Sequence, residues 1–489
     1  MLNKIASFDN ALKSLRLNQT DDALEIFHEI LKFDPKNLNV LTHISNIYRA
    51  KKNISKYNFY LRKISIIDKK NYKIFNNLAL TYKELGRYKL AEKFFLKSLK
   101  LNHKYVLVNF NLGLLYEEKG ELQKAIKYYL EVISLDNKFI SAYYNLQRID
   151  KDLISEKFYF FIEKILNEEN KEISKDTSYG YFLLAKKVEK KDISQEMKYL
   201  LKGHDMFFNS DHSNKHTCRL WLNLIPNMMK KKFNYIENTN SKIKKKLEPI
   251  FIIGLPRSGT TLVETIISSG ETKVPNIGEA SIIHNTLIHL AKKKQFLENE
   301  NSVTINFKSL NEKINYAYQE HEILRNYNGV KFIDRAMENF FFYEIIFKIF
   351  PNVRIVHCNR NYFHNTIAIY KQCLENLPWT HKIEDIIKYI TLFDEVISQI
   401  KNKYPKNILS VDLEDLTNDP EKISKLIFKF CDLEWSKNVL NFYERNDLIS
   451  STASNIQIRN KIYKYDNSKF KKYEEYISSY ITKNSPLKI

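Results

Sequence analysis

A chain of 489 residues is too long for one ordinary hydrophobic core, so two or three domains are expected. Apolar residues make up 44%, which excludes a disordered chain, and the formal charge of +21 is lysine scattered throughout, without a nucleic-acid-binding motif. Four separated cysteines, no apolar run of membrane-spanning length and no signal-peptide core among the first residues point to a cytoplasmic protein without a membrane span.

The first 150 residues repeat every 34 positions. Leu38, Tyr72, Val106 and Ile140 open successive units, and Lys4 would open an earlier one. The eighth position is always small (Ala11, Ser45, Ala79, Gly113), and the twentieth is Ala23, Tyr57, Ala91 and Ala125. Small residues there let two antiparallel helices approach closely. The fifteenth position (Asn18, Lys52, Gly86, Gly120) falls in the turn between them, where Gly or Asn suits the backbone. This pattern resembles the tetratricopeptide repeat. Such a stack offers a surface for a protein partner, or serves only as a scaffold.

From 151 to 247 the helical pattern continues and the period fails. Tyr179 to Phe208 resembles one more degenerate helix pair. The lysine runs Lys230–Lys232 and Lys242–Leu247 read as a solvated hinge.

The stretch Pro249-Ile-Phe-Ile-Ile-Gly-Leu-Pro-Arg-Ser-Gly-Thr-Thr-Leu262 then predicts a buried strand, a tight turn and a helix opening at Thr260. Loop amides and a helix N-terminus together attract anions. The spacing from Gly254 to Gly259 is that of a nucleoside-triphosphate loop, except that Thr260 stands where the lysine should be. Without that lysine, chemistry at a γ-phosphate is disfavoured. Arg257, inside the loop, supplies the cation instead.

Pro256, Arg257, Ser258, Gly259, Thr260 and Thr261 resemble the 5′-phosphosulfate loop of sulfotransferases of the tyrosylprotein and bacterial tetratricopeptide-repeat kind. The resemblance implies a phosphate-loop-like α/β domain with a mainly parallel sheet over 248–489, following a repeat α-solenoid at 1–150 and a helical connector at 151–247. It implies the cofactor 3′-phosphoadenosine-5′-phosphosulfate (PAPS; product PAP) and no metal. It makes Glu279, in Gly-Glu-Ala, the base that takes the acceptor's proton, with His284 as a fallback. Arg335 stands at the position of the family's catalytic lysine. Arg360 matches the arginine of the 3′-phosphate element, whose serine is here Ala368, leaving Asn365 or Thr366 to supply a donor. Ser454, Gln457 and Arg459 match the segment that folds over the nucleotide.

Leu413 and Phe470 replace a tyrosine and a tryptophan usual in the family. These departures keep open a second reading, a catalytically decayed domain acting as a repeat-based binding scaffold. The acceptor is a hydroxyl on a peptide, glycan or small molecule, with the repeats favouring a peptide or protein.

Overall fold

A computed structural model describes residues 7–167, 173–236, 247–292, 296–298, 302–445, 447–481 and 486. Lys4 and Lys242–Lys246 lie outside the described residues. The chain divides into two compact units, Met1–Ala142 and Tyr143–Ile489. Among the described residues no helix is long and apolar enough to cross a membrane.

The first unit contains antiparallel helix pairs: α1 (Phe8–Arg16) with α2 (Thr20–Phe33), α3 (Leu38–Ala50) with α4 (Ile54–Ile67), α5 (Tyr72–Glu84) with α6 (Tyr88–Leu101), and α7 (Val106–Lys119) with α8 (Leu122–Leu135). The small residues sit where the pairs touch. Ala11, Ala23, Ala79, Ala91 and Ala125 are wholly buried, and a Cβ on Gly113 would come within 2.4 Å of the Tyr129 ring. Every fifteenth-position residue is left-handed: Asn18 at φ 59°, Lys52 at 52°, Gly86 at 74° and Gly120 at 78°. Lys52 adopts this conformation at a cost of about 1–2 kcal/mol, so the turn geometry is imposed by the helix pairing rather than by that residue.

The second unit is built on a four-stranded parallel sheet. Its strands are β2 (Glu248–Gly254), β5 (Lys331–Asp334), β6 (Arg354–Asn359) and β7 (Ile408–Asp412), in the order β5-β2-β6-β7. A smaller sheet has β1 (Lys232–Ile236) parallel to β4 (Ser302–Asn306), which pairs antiparallel with β3 (Phe296–Glu298). The hinge expected from Lys230 onward is thus corrected at Lys232, where β1 begins. Phe233 and Tyr235 alternate with exposed polar residues, a period-2 pattern that the lysine run obscures.

After the exposed Glu248, β2 is apolar and buried because both sheet faces are covered. Phe251 and Ile253 join a core with Phe332, Phe340 and Ile355. Ile250 and Ile252 join another with Val263, Ile266, Val356 and Ile427 on the opposite face. Phe182, Ala185, Leu200 and Phe208, from the helices Lys175–Val188 and Ile193–Asn209, belong to the same core as Phe251. The helical connector therefore packs as part of the unit that carries the sheet.

Candidate active site

β2 ends at Gly254, with β5 on one side and β6 and β7 on the other. The crevice outside the strand ends at such a reversal is where parallel α/β sheets bind ligands. The loop Leu255–Gly259 occupies it and leads into the helix Thr260–Ser268. Arg257 (φ 68°) and Gly259 (φ 97°) are both left-handed, and such interruptions gather backbone N–H groups into an anion-binding concavity. The first amides of the helix lack intrahelical acceptors and carry the positive end of its dipole. There is no room for a side chain at Gly254, where a Cβ would lie 2.6 Å from Ser258 Oγ and 2.7 Å from Thr260 Cγ2.

Two arginines converge here. Arg257 Nη1 donates to Ser454 Oγ at 2.7 Å, and its buried Nε has no acceptor among the described residues. Arg360, just past β6, donates from Nη1 to the Arg257 carbonyl and from Nε to Tyr465 Oη, both at 2.8 Å. Its guanidinium lies 4.9 Å from the Tyr465 ring centre and 5.1 Å from that of Phe470. Burial, then the charge of Arg360, brings the Arg257 guanidinium down to about 10. Arg360 is also lowered, chiefly by burial. Two crowded, partly desolvated cations make a place where an anion is strongly favoured.

The loop opens on a cavity of about 360 Å³, the size of a small-molecule site. Among the described residues, eight cationic side chains line it against two carboxylates, Glu189 and Glu196. The carboxylates are already engaged. Lys371 pairs with Glu189 at 2.6 Å and Glu196 at 2.8 Å, and Tyr473 Oη donates to Glu196 at 2.9 Å. Burial opposes the charge on Glu189, but Lys371 and Lys186 outweigh it and hold the carboxyl down to about 2.

On the β5 side of the loop lies a separate ion-pair network. Arg335 is buried; its Nε donates to Glu264 and its Nη1 to Glu279 at 2.5 Å. Glu264 belongs to the helix that follows the loop and also accepts from Asn276. Burial works against the Arg335 charge, yet the two carboxylates hold the group above its ordinary value.

Residues 249–437 match the model of the sulfotransferase family, and residues 72–138 that of the tetratricopeptide repeat. The chain carries a sulfotransferase-family domain behind tetratricopeptide repeats. It is 27% identical over 243 residues to an uncharacterized protein of Aquifex aeolicus (strain VF5), covering 48% of this chain and 32% of that one. The chain thus spans about a third of the length of the curated relative it matches. Among solved structures, the sulfotransferase domain of the Synechococcus PCC 7002 olefin synthase is 17% identical, covering 52% of this chain and 94% of its own, with TM-score 0.34. The MamA crystal structure is 20% identical, covering 41% and 95%, with TM-score 0.27.

Within the sulfotransferase-family domain, Arg257, Gly259, Arg360, Ser454 and Gln457 come together on the cavity wall. Pro256 and Ser258 lie in the loop and Thr260 and Thr261 open the helix behind it, none of them lining the cavity; Ser258 Oγ donates to the Leu255 carbonyl at 2.8 Å. Arg459 turns back into its own segment, donating to the Leu448 carbonyl at 3.2 Å and Asn455 Oδ1 at 2.9 Å. Glu279, with half its side chain exposed, and Arg335 stand apart on the β5 side. His284 packs against Trp221 and Phe342, and burial pushes it down to about 4. Thr366 Oγ1 donates to the Tyr362 carbonyl at 2.9 Å, while Ala368 lines the cavity. Sequence reasoning missed Glu264, Lys371 and the two connector glutamates. Glu264 lies in a helix interior, and the other three come from segments brought together only by folding.

Proposed function

We propose that the chain transfers a sulfuryl group from PAPS to an acceptor hydroxyl, with 248–489 as the catalytic domain and 151–247 completing the donor cavity. The observation that carries this reading is the loop with left-handed Arg257 and Gly259, opening on a cavity where Arg257 and Arg360 have no carboxylate partner among the described residues. The donor set fits PAPS: loop amides and an arginine for the 5′-phosphosulfate, and a second arginine, planar and fork-shaped, for the 3′-phosphate. Ser454 and Gln457 border the same space.

PAPS, when bound, supplies the electrophilic sulfuryl group. The loop amides with Thr260 and Thr261 hold the 5′ anions, and Arg257 neutralises charge on the leaving phosphate, an electrostatic contribution of the kind that dominates such transfers. Glu279 takes the proton from the acceptor hydroxyl. Arg335 orients that carboxylate through its Nη1–H and counters charge developing on the transferred group. The sheet order keeps these duties apart, with Glu279 and Arg335 on the β5 side of the loop and Arg360 on the β6 side. The repeats present a protein or peptide acceptor. All four cysteines are free thiols, which supports a cytoplasmic location.

A second reading, a decayed domain that binds without turnover, draws on one observation: Arg335 is committed to two carboxylates and does not line the cavity. Transfer of radiosulfur from PAPS to phenols, tyrosine peptides and glycans decides between them. Label transfer that Glu279→Gln abolishes supports the enzyme. Donor binding without transfer to any acceptor class, unchanged by Glu279→Gln, supports the scaffold.

A further inference from the structure

The helix Tyr362–Tyr370 follows Arg360, and its Asn365 is wholly buried. The Asn365 side chain does not line the cavity. Its Nδ2 instead donates to the carbonyl of Pro256 at 2.7 Å. The next carbonyl, that of Arg257, accepts from Arg360 Nη1 at 2.8 Å. Two successive loop carbonyls are thus gripped by side chains from one neighbouring segment.

Peptide planarity gives this grip a consequence. In a trans peptide the carbonyl of one residue and the N–H of the next point in opposite directions, and there are no cis bonds among the described residues. Pinning the Arg257 carbonyl turns the Ser258 N–H the other way, where it donates to Leu255 O at 3.2 Å and closes the turn. Pinning the Pro256 carbonyl likewise turns the Arg257 N–H away from the helix. That N–H has no backbone acceptor among the described residues.

We infer that Asn365 is a positioning residue for the anion site: by holding the Pro256 carbonyl it aims the Arg257 N–H at the 5′-linked anion of the ligand. This rests on the proposed PAPS reading and assigns Asn365 a duty different from contact with the 3′-phosphate. Arg257 at φ 68° is strained for a residue with a side chain, and the two carbonyl contacts hold it there. The segment bearing Arg360 thus also shapes the 5′ loop.

The test compares three probes, PAP, adenosine 5′-monophosphate and adenosine 3′-monophosphate, titrated into full-length wild type and Asn365→Ala. The inference expects affinity for the two 5′-phosphate ligands to fall about tenfold, the size of one lost hydrogen bond, with the 3′-monophosphate unchanged. Retained 3′-monophosphate binding also shows that the variant is folded. Asn365→Leu, closer in volume, gives the same pattern should the alanine variant unfold. Equal affinity of wild type and variant for the 5′ ligands, or a loss confined to the 3′-phosphate ligands, overturns the assignment while leaving the PAPS reading standing. A wild type that binds none of the three overturns both.

Discussion

Arg360 reaches across from the end of β6 to donate to the backbone carbonyl of Arg257 at 2.8 Å, so one cationic side chain braces the loop that carries the other. Its aromatic flanks, Tyr465 and Phe470, fix the guanidinium plane. Phe470, which departs from the family's tryptophan, thus still serves as an aromatic wall. Arg360→Lys keeps the charge and loses the fork, the loop contact and the flat stacking surface. It should weaken PAP binding at least tenfold, the scale of one hydrogen bond to a charged group. A lysine variant that binds as well as wild type would mean that charge alone matters at this position.

Gly259 is constrained twice. Its φ of 97° is strained for any residue with a side chain, and a Cβ would come within 2.9 Å of Leu413 Cδ1. Gly259→Ala should cost about 1–2 kcal/mol from the backbone alone, with a further loss from the clash. Adding Leu413→Ala removes the clash and leaves the backbone cost, so the double variant should refold part of the way in urea melts. Full recovery would show that the left-handed backbone carries no cost.

Glu264 bonds to Arg335 inside the domain, away from solvent. Glu264→Gln removes one of that arginine's two partners, and breaking a buried pair costs about 3 kcal/mol or more. In a double-mutant cycle with Arg335→Met, the combined loss should fall well short of the sum of the single losses. Additive losses would show that the pair is not coupled.

His204 and His381 form a buried pair at 2.9 Å between their Nδ1 atoms, while His204 Nε2 donates to the Tyr370 carbonyl at 2.6 Å. A carbonyl only accepts, so His204 carries its proton on Nε2 and accepts at Nδ1 from His381. A second proton on His204 would set donor against donor. Burial accordingly pushes His204 down to about 4 from 6.5, and burial followed by the charge of His204 pushes His381 well below its usual value. For this pair the unfolded state then binds more protons than the folded one below pH 6.5. The pair's contribution to stability is complete above that pH and falls as the pH drops towards 4, by about 3 kcal/mol for His204 alone. All three tryptophans (Trp221, Trp379, Trp435) lie in the second unit, so their fluorescence follows its unfolding. His204→Asn should flatten the fall between pH 6.5 and 4; a profile that it leaves unchanged contradicts this assignment.

The helices Lys175–Val188 and Ile193–Asn209 share a core with β2, and Glu189 and Glu196 line the cavity. A fragment starting at 248 should therefore fail to bind PAP, whereas one starting at 143 should bind as the full chain does. Equal binding by both fragments would remove the connector from the site.

Much of this was legible from residues whose chemistry is local. The repeat positions Ala11, Ala79 and Gly113 are small because helices cross there, and Gly254 and Gly259 mark a turn with no space for side chains. Long-range partners left no such mark. Glu264 reads as an ordinary helical residue until Arg335, 71 positions on, is placed beside it. Lys371, Glu196 and Tyr473 meet only after three segments converge. Lys232–Ile236 was hidden by the lysine run Lys230–Lys232 that leads into it, since an edge strand with Lys232 and Asn234 facing solvent resembles a linker in composition. Asn365 and Ala368 lie on one helix, but which of them faces the cavity depends on how that helix is rotated against the sheet.

The central claim is that this loop and cavity hold a 3′,5′-bisphosphorylated adenosine. Calorimetric titration of PAP into the full-length protein, with ATP and Arg360→Ala as controls, tests it most directly. The account predicts micromolar binding of PAP, lost in Arg360→Ala and absent for ATP. No heat at millimolar PAP, or equal binding of ATP, would contradict it.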